Sequence, residues 1–131
     1  MFAVLLFVAL ALFQTPSAPQ PESAPLEGTW RVDIIDNIKV MPEAPVTLAF
    51  RGSRITGSAS CNSFQGNVTV AGTTVKFESI LATLKACDDA RMSQERDFFA
   101  FLRRVSRYEL GRDGALSLLT VEGKRLSATK K

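Results

Sequence analysis

The two cysteines of this chain, Cys61 and Cys87, constrain its fold more than any other feature of the sequence. Cys61 lies where a strand-like run gives way to a turn, and Cys87 lies just before a run with helical spacing. A bond between them would therefore join a sheet to a helix. Closing the loop between residues 61 and 87 stabilises a small domain by about 3.5 kcal/mol in the chain-entropy estimate. We predict a structural disulfide, with two buried free thiols or a redox-active pair as the alternatives.

The N-terminal residues predict export from the cytosol. Residues 1–13 form an uninterrupted apolar run, which is too short to span a bilayer but suits the core of a secretory signal. We predict a signal peptide over residues 1–18, with an end between 18 and 24, and a proline-rich linker over 19–26. An uncleaved membrane anchor or a misassigned start codon is the alternative. Because no cysteine lies near the end of the apolar run, we expect a soluble periplasmic or secreted protein, not a lipoprotein.

Composition limits the classes of function. Residues 27–131 suffice for one domain, and a net charge of +3 is too small to indicate nucleic-acid binding. The chain has no histidine, which removes Ser-His and Cys-His nucleophilic systems and the commonest metal ligand. Asp88 and Asp89 are adjacent at a predicted helix start, where they suit capping better than acid-base chemistry. We predict a monomer that is not an enzyme and needs no cofactor or metal.

Short runs of alternating apolar and polar residues predict half-buried strands. In the first, from Thr29 to Ile35, Trp30, Val32 and Ile34 share one face. The others are marked by Val46, Leu48 and Phe50, by Ile55, by Val68 and Val70, by Val75 and Phe77, by Tyr108 and Leu110, by Leu116 and Leu118, and by Leu126 and Ala128. The short turns between neighbouring runs make them antiparallel.

Between the fifth and sixth strands the apolar period becomes helical. Phe98, Phe99, Leu102 and Val105 fall at this spacing, which predicts an amphipathic helix from Ala90 to Val105, capped by Asp88 or Asp89. Its basic end at Arg103 and Arg104 complements the helix dipole. We predict a mostly β fold in which about eight antiparallel strands form a small barrel-like sheet with one helix packed against it. An open sheet with the helix on one face is the alternative.

Four segments of the chain resemble the META domain family, which includes HslJ-like bacterial envelope proteins. They are Gly28 to Trp30, Gly57 to Gly66, Ile80 to Cys87, and Glu95 to Leu102, and the two middle segments together are the most specific. The motif residues are Trp30, Gly57, Cys61, Asn62, Phe64, Gly66, Thr83, Cys87, Glu95, Phe98 and Leu102. The chain departs from the family at Ser60, where Gly is usual. The resemblance implies a compact barrel with a packed helix, and links some members to heat shock and novobiocin tolerance.

Several motif residues have both a structural and a binding interpretation, and we favour the structural one in each case. Asn62 satisfies its own turn, or presents an exposed amide to a ligand. Trp30 and Tyr108 fill the core, or line a pocket. Phe64 is a core residue. The aromatic residues of the predicted helix are buried or form a partner surface, and they are Phe98, Phe99 and Phe101.

The residues predict a non-catalytic protein that acts through binding, and the family resemblance implies that it acts in envelope stress or drug tolerance. One alternative is a barrel that holds a small apolar molecule or lipid, although the large residues Trp30, Phe50, Phe64 and Phe77 predict a filled interior. Another is an accessory or inhibitor protein that docks on an envelope enzyme. The partner is then an envelope protein or a small apolar ligand. Anionic lipid is a further candidate, through a basic cluster of Arg103, Arg104 and Arg107.

Overall fold

The computed structural model describes residues 11–16 and 22–131. Most of the predicted signal peptide and the first residues of the predicted linker lie outside these ranges. Residues 11–16 are exposed and have no regular secondary structure. Among the described residues, no helix combines the length and the apolar character that crossing a membrane requires.

Eight antiparallel strands form a closed barrel. The sheet also includes a ninth, two-residue strand, and in chain order the nine strands of the described residues are β1 (Gly28–Ile35), β2 (Ile38–Lys39), β3 (Val46–Arg51), β4 (Arg54–Ser58), β5 (Ser63–Ala71), β6 (Thr74–Ala82), β7 (Val105–Leu110), β8 (Leu116–Thr120) and β9 (Arg125–Lys130). Each barrel strand pairs with the next, and β9 pairs back with β1, while the two-residue β2 pairs only with the end of β1. The predicted barrel is confirmed, and the open sheet is wrong.

The barrel interior is filled by the inward side chains of the strands. Along β5, buried and exposed residues alternate without interruption, as the period of a strand requires. The aromatic rings of Phe50 and Phe77 meet across the interior with centroids 6.1 Å apart. Other fully buried side chains are Leu48, Ile55, Leu116, Leu118 and Leu126.

In β1 a bulge changes which side chains face the barrel interior. The pairing of β1 with β9 shifts register between Val32 and Ile34, so the alternation of inward and outward residues skips one position. Ile35 is therefore buried and Ile34 is only half-buried, although the alternating pattern placed Ile34 on the inner face.

The helix α1 (Asp89–Leu102) connects β6 to β7 and covers one end of the barrel. It ends three residues earlier than predicted, because the backbone N–H of Arg104 bonds to Phe101 and the chain turns into β7. Val105 is therefore a strand residue, which pairs with Thr120. The apolar side chain of Val105 is buried in β7. A buried position also fits the end of an amphipathic helix, so helical spacing alone could not exclude Val105 from α1.

The opposite end of the barrel is closed by residues that precede β1. Ala24–Leu26 form a short 3-10 helix within the predicted linker, and Leu26 is fully buried. The indole Nε1 of Trp30 donates to the Leu26 carbonyl oxygen at 2.8 Å. The Glu27 carboxylate accepts from the backbone N–H of Gly52 at 3.0 Å. The ordered domain thus begins before the first strand.

The N-cap of α1 supports a pH-dependent prediction. Asp88 accepts from the backbone N–H of Arg91 at 3.3 Å, and this bond, with the Arg91 guanidinium, lowers the pKa of the Asp88 carboxyl. A lowered folded-state pKa adds stability that is complete above about pH 4 and is lost as the pH falls through that pKa. We expect Asp88→Ala to lower the melting temperature by about 4 °C at pH 7.

At pH 3 the difference in melting temperature between wild type and Asp88→Ala should be smaller. Thermal denaturation monitored by circular dichroism measures it. Asp89→Ala is the control, because Asp89 starts the helix without serving as its N-cap. A difference that stays constant from pH 7 to pH 3 would contradict the capping role.

Candidate functional site

Five of the motif residues gather at the helix-bearing end of the barrel. Cys61 and Asn62 lie between β4 and β5, Thr83 follows β6, Cys87 precedes α1, and Glu95 lies within α1. A disulfide joins Cys61 to Cys87, so the predicted crosslink between sheet and helix is confirmed and the free-thiol alternative is wrong. We call these five residues the motif cluster.

Asn62 is the centre of the motif cluster and is only 3% exposed. Its Oδ1 accepts from the Thr83 hydroxyl at 2.8 Å and from the backbone N–H of Lys85 at 2.7 Å. Its Nδ2 donates to Glu95 Oε2 at 2.8 Å and to the Lys85 carbonyl oxygen at 3.3 Å. A side-chain amide has two donors and two acceptor sites, and all four are used here. Asn62 therefore ties three segments together and does more than satisfy its own turn.

Glu95 faces Asn62 from the helix and is 6% exposed. Its Oε1 accepts from the backbone N–H of Asn62 at 2.7 Å, and its Oε2 accepts from the Asn62 side chain. The sequence contains a signal for this role. Glu95 lies three positions before Phe98 and seven before Leu102, on the buried side of α1, where a carboxylate requires donors.

Gln94 forms a second link between α1 and the loops, and this role was not predicted from the sequence. Its Nε2 donates to the Ala44 carbonyl oxygen at 2.8 Å and to the Ser60 hydroxyl at 3.0 Å. Its Oε1 accepts from the backbone N–H of Met41 at 2.9 Å. Ser60, where the family usually has Gly, has a φ of 94° and contributes its hydroxyl to this network.

Phe64 connects the motif cluster to the core. Its ring lies with centroids 5.5 Å from Phe98 and 5.6 Å from Phe99, in edge-to-face arrangements. Phe98 and Phe101 are buried and Phe99 packs partly against the core, so the helix aromatics pack inward. Trp30 is also buried, but it lies toward the other end of the barrel, where the Lys130 ammonium is 4.7 Å from its ring centroid.

Gly57 lies where the backbones of β3 and β4 leave no room for a side chain. A Cβ at this position would overlap the Thr47 carbonyl oxygen, which is backbone and cannot rotate away. A Cβ at Gly66 would instead meet first the terminal methyl of Ile80, which has more freedom to move. We therefore expect Gly57→Ala to lower the free energy of unfolding by about 3 kcal/mol and Gly66→Ala by about 1 kcal/mol.

Urea denaturation of the two variants beside wild type measures this difference. Equal losses, or a larger loss for Gly66→Ala, would show that close backbone approach is not why Gly occupies position 57.

The basic cluster predicted to contact anionic lipid is largely neutralised by local ion pairs. Arg104 lies 2.6 Å from Glu122, and Arg107 lies 2.7 Å from Glu109. The Arg107 guanidinium lowers the pKa of Glu109. A backbone hydrogen bond and the Arg104 guanidinium lower the pKa of Glu122. Of the three predicted arginines, only Arg103 has no ion pair among the described residues.

The motif cluster is built for positioning. Within residues 11–16 and 22–131, no three metal-ligating side chains of the Cys, His, Asp or Glu type group together. The buried Asn62 amide uses all four of its hydrogen-bonding positions, and each oxygen of the buried Glu95 carboxylate accepts one bond from Asn62. Three grooves lie beside the cluster, and Thr83 lines one of them. Two of about 240 Å³ each run beside α1 and share Ile35, Ile38 and Asp97, and one of about 400 Å³ lies on the outer sheet surface at Leu81.

A small closed antiparallel barrel, covered by one helix and crosslinked to it by a disulfide, defines the class of this protein. Within that class, a family model of the META domain matches residues 24–131. The chain therefore belongs to the META domain family.

Solved structures show the same fold. An NMR structure of a protein from Burkholderia xenovorans has a TM-score of 0.68 and 17% identity, and the alignment covers 95% of this chain and 99% of that one. A crystal structure of a DUF4847 family protein from Bacteroides vulgatus has a TM-score of 0.60 and 17% identity, with 84% and 98% covered. At these identities the likeness concerns the fold alone. A search of curated proteins finds no match.

Proposed function

We propose that this chain is a non-catalytic META domain protein of the periplasm or the extracellular space, and that it acts by binding through its outer surface. Its biological role would be tolerance of envelope stress, heat shock or drugs, as the family resemblance implies. The Cys61–Cys87 disulfide supports export, because such bonds persist in oxidising compartments and are rare in the cytosol.

The observation that carries the proposal is the saturation of the motif cluster. Asn62 uses every hydrogen-bonding position of its side chain inside the protein, and both oxygens of Glu95 are occupied by Asn62. An active site needs groups that are free to bond a substrate. These residues instead fix the loop after β6 and the start of α1, so the surface they hold is the candidate for function.

The filled interior favours surface binding over a ligand inside the barrel. Phe50, Phe64 and Phe77, with Trp30, are all buried within it. For the alternative of a small apolar ligand, the supporting observation is the pair of grooves beside α1, where Ile38 is 65% exposed.

Complementation tests the proposal. A strain lacking the gene receives either the full chain or a version without residues 1–18, and both are challenged with heat and with an envelope-directed drug. We expect only the full chain to restore tolerance, and its cysteines to react with a thiol label only after reduction. Restoration by the shortened, cytosolic version would refute export as a requirement. A variant that keeps the fold but replaces Ile38 by Gln tests the groove separately.

A further inference from the structure

The net charge of this protein is concentrated on one side of the barrel. Residues 46–85, which form β3, β4, β5, β6 and the loop that follows, contain four basic residues and one acidic residue. The remaining residues contain 12 of each sign, so this segment carries the whole net charge of +3. Its charged side chains are all exposed, and they are Arg51, Arg54, Lys76, Glu78 and Lys85. We call the outward side of this segment the β3–β6 face.

Two exposed leucines lie on the same face. Leu81, near the end of β6, is 66% exposed, and Leu84, in the loop that follows, is 98% exposed. Leu81 borders the groove of about 400 Å³, whose other lining residues include no charged side chain. A single exposed leucine needs no explanation, but two beside unpaired cations form an amphipathic surface.

The motif cluster holds this loop in place. The backbone N–H of Thr83 donates to the Ser63 carbonyl oxygen at 3.0 Å, and that of Lys85 donates to Asn62. Leu84 lies between these two anchored residues, and the disulfide at Cys87 fixes the chain just beyond. Leu84 is therefore displayed by a fixed backbone, which reduces the entropy lost when it is buried by a partner.

Two cations flank the leucines without a counter-ion among the described residues. Lys85 follows Leu84 directly, and Arg54 reaches Gln65, which lines the same groove as Leu81. The one carboxylate of the face, Glu78, pairs with Lys76 at 3.0 Å. The β3–β6 face thus presents aliphatic side chains and positive charge, with its only negative charge neutralised.

We propose that the β3–β6 face binds the surface of a bilayer that contains anionic lipid. Leu81 and Leu84 insert at the boundary between headgroups and acyl chains, and Arg54 and Lys85 lie at the phosphates. The positive charge complements such a surface, and a leucine on a projecting loop suits insertion into lipid. The inference rests on the proposed function, because it names what the proposed binding surface contacts. It places lipid contact away from Arg104 and Arg107, which are ion-paired.

Co-sedimentation of the full chain with vesicles tests the inference. One set contains phosphatidylcholine alone, and the other contains phosphatidylcholine with phosphatidylglycerol. We expect a higher partition coefficient on the anionic vesicles and a decrease of this preference with salt. Leu84→Gln should lower partitioning on anionic vesicles at least tenfold, and Arg54→Gln or Lys85→Gln about fivefold each.

The controls remove matched side chains elsewhere. Val121→Gln removes an aliphatic residue that is 85% exposed in the turn after β8, and Arg112→Gln removes an exposed arginine with no ion pair in the described part of the chain. We expect both to bind like wild type. All variants contain the apolar residues 1–13, which favour partitioning onto both kinds of vesicle. The preference for anionic over neutral vesicles therefore reports the contribution of the β3–β6 face. Melting temperatures should be unchanged, because Leu84 and Val121 are exposed.

Equal partitioning on neutral and anionic vesicles would overturn the inference. An effect of Arg54→Gln without any effect of Leu84→Gln would overturn it too, and would indicate an acidic protein or another polyanion as the partner. Failure here leaves the proposed function standing if complementation still requires the exported chain. Complementation by the cytosolic version would refute the proposed function whatever the vesicles show.

Discussion

Removing the disulfide, by Cys61→Ala together with Cys87→Ala, is expected to lower the free energy of unfolding by about 3.5 kcal/mol. The bond closes a loop with a sequence separation of 26 residues, and without it the unfolded chain regains the entropy of that loop. Domains of this size are typically stable by about 5 to 15 kcal/mol, so the loss would be a large part of the total. Urea denaturation at 25 °C measures the change.

Reductant provides the matched control for this prediction. Wild type in reductant should unfold at nearly the same urea concentration as the double variant, and reductant should not affect the variant. A wild-type midpoint that does not respond to reductant, with thiol labelling proving that the bond has opened, would show that the crosslink does not stabilise the fold.

Asn62→Ala is expected to cost about 4 kcal/mol, the largest effect of any single substitution considered for this chain. The change leaves the Thr83 hydroxyl and the backbone N–H of Lys85 without their acceptor, and it removes one donor from the buried Glu95 carboxylate. The lost donor to the buried Glu95 carboxylate costs about 1 to 3 kcal/mol, and the part-buried donors of Thr83 and Lys85 add less each, because water can replace their acceptor. Urea denaturation again gives the difference in free energy.

Asn67→Ala is the control, because Asn67 is an exposed asparagine on β5, the strand that begins directly after Asn62. We expect that variant to remain within about 0.5 kcal/mol of wild type. The Asn62→Ala loss should be smaller when the disulfide is already absent, since both features hold the loop between β6 and α1. A loss below 1 kcal/mol for Asn62→Ala would mean that the network does not stabilise the domain.

Much of the barrel could be predicted because each strand carries its own pattern. Val46, Leu48 and Phe50 alternate with polar or small residues, and the same period holds along β5. Errors arose where the backbone departs from regular geometry. The bulge in β1 moved Ile35 inward, and the end of α1 was set by a turn at Arg103 and Arg104 that apolar spacing does not reveal.

The motif cluster was predictable in its members and not in its connections. The crosslink between Cys61 and Cys87 was predicted from two cysteines in a chain with a predicted secretory signal. The hydrogen bonds between Asn62 and Glu95 were not predicted. Glu95 lies 33 positions away, on a helix whose rotation about its own axis depends on packing. The role of Gln94 and the exposure of Leu84 were missed for the same reason. The hydrogen bonds of Gln94 and the display of Leu84 depend on how α1 docks on the barrel.

Local pattern determined the antiparallel strands, the single helix and the placement of one cysteine beside each, because strand and helix periods and short turns act between near neighbours in sequence. Only the tertiary structure decided that both oxygens of the Glu95 carboxylate accept from Asn62, and that the positive side of the barrel carries Leu81 and Leu84. Both results depend on closing the barrel and docking α1 over its end. Such contacts join residues far apart in the chain, and no local period specifies them.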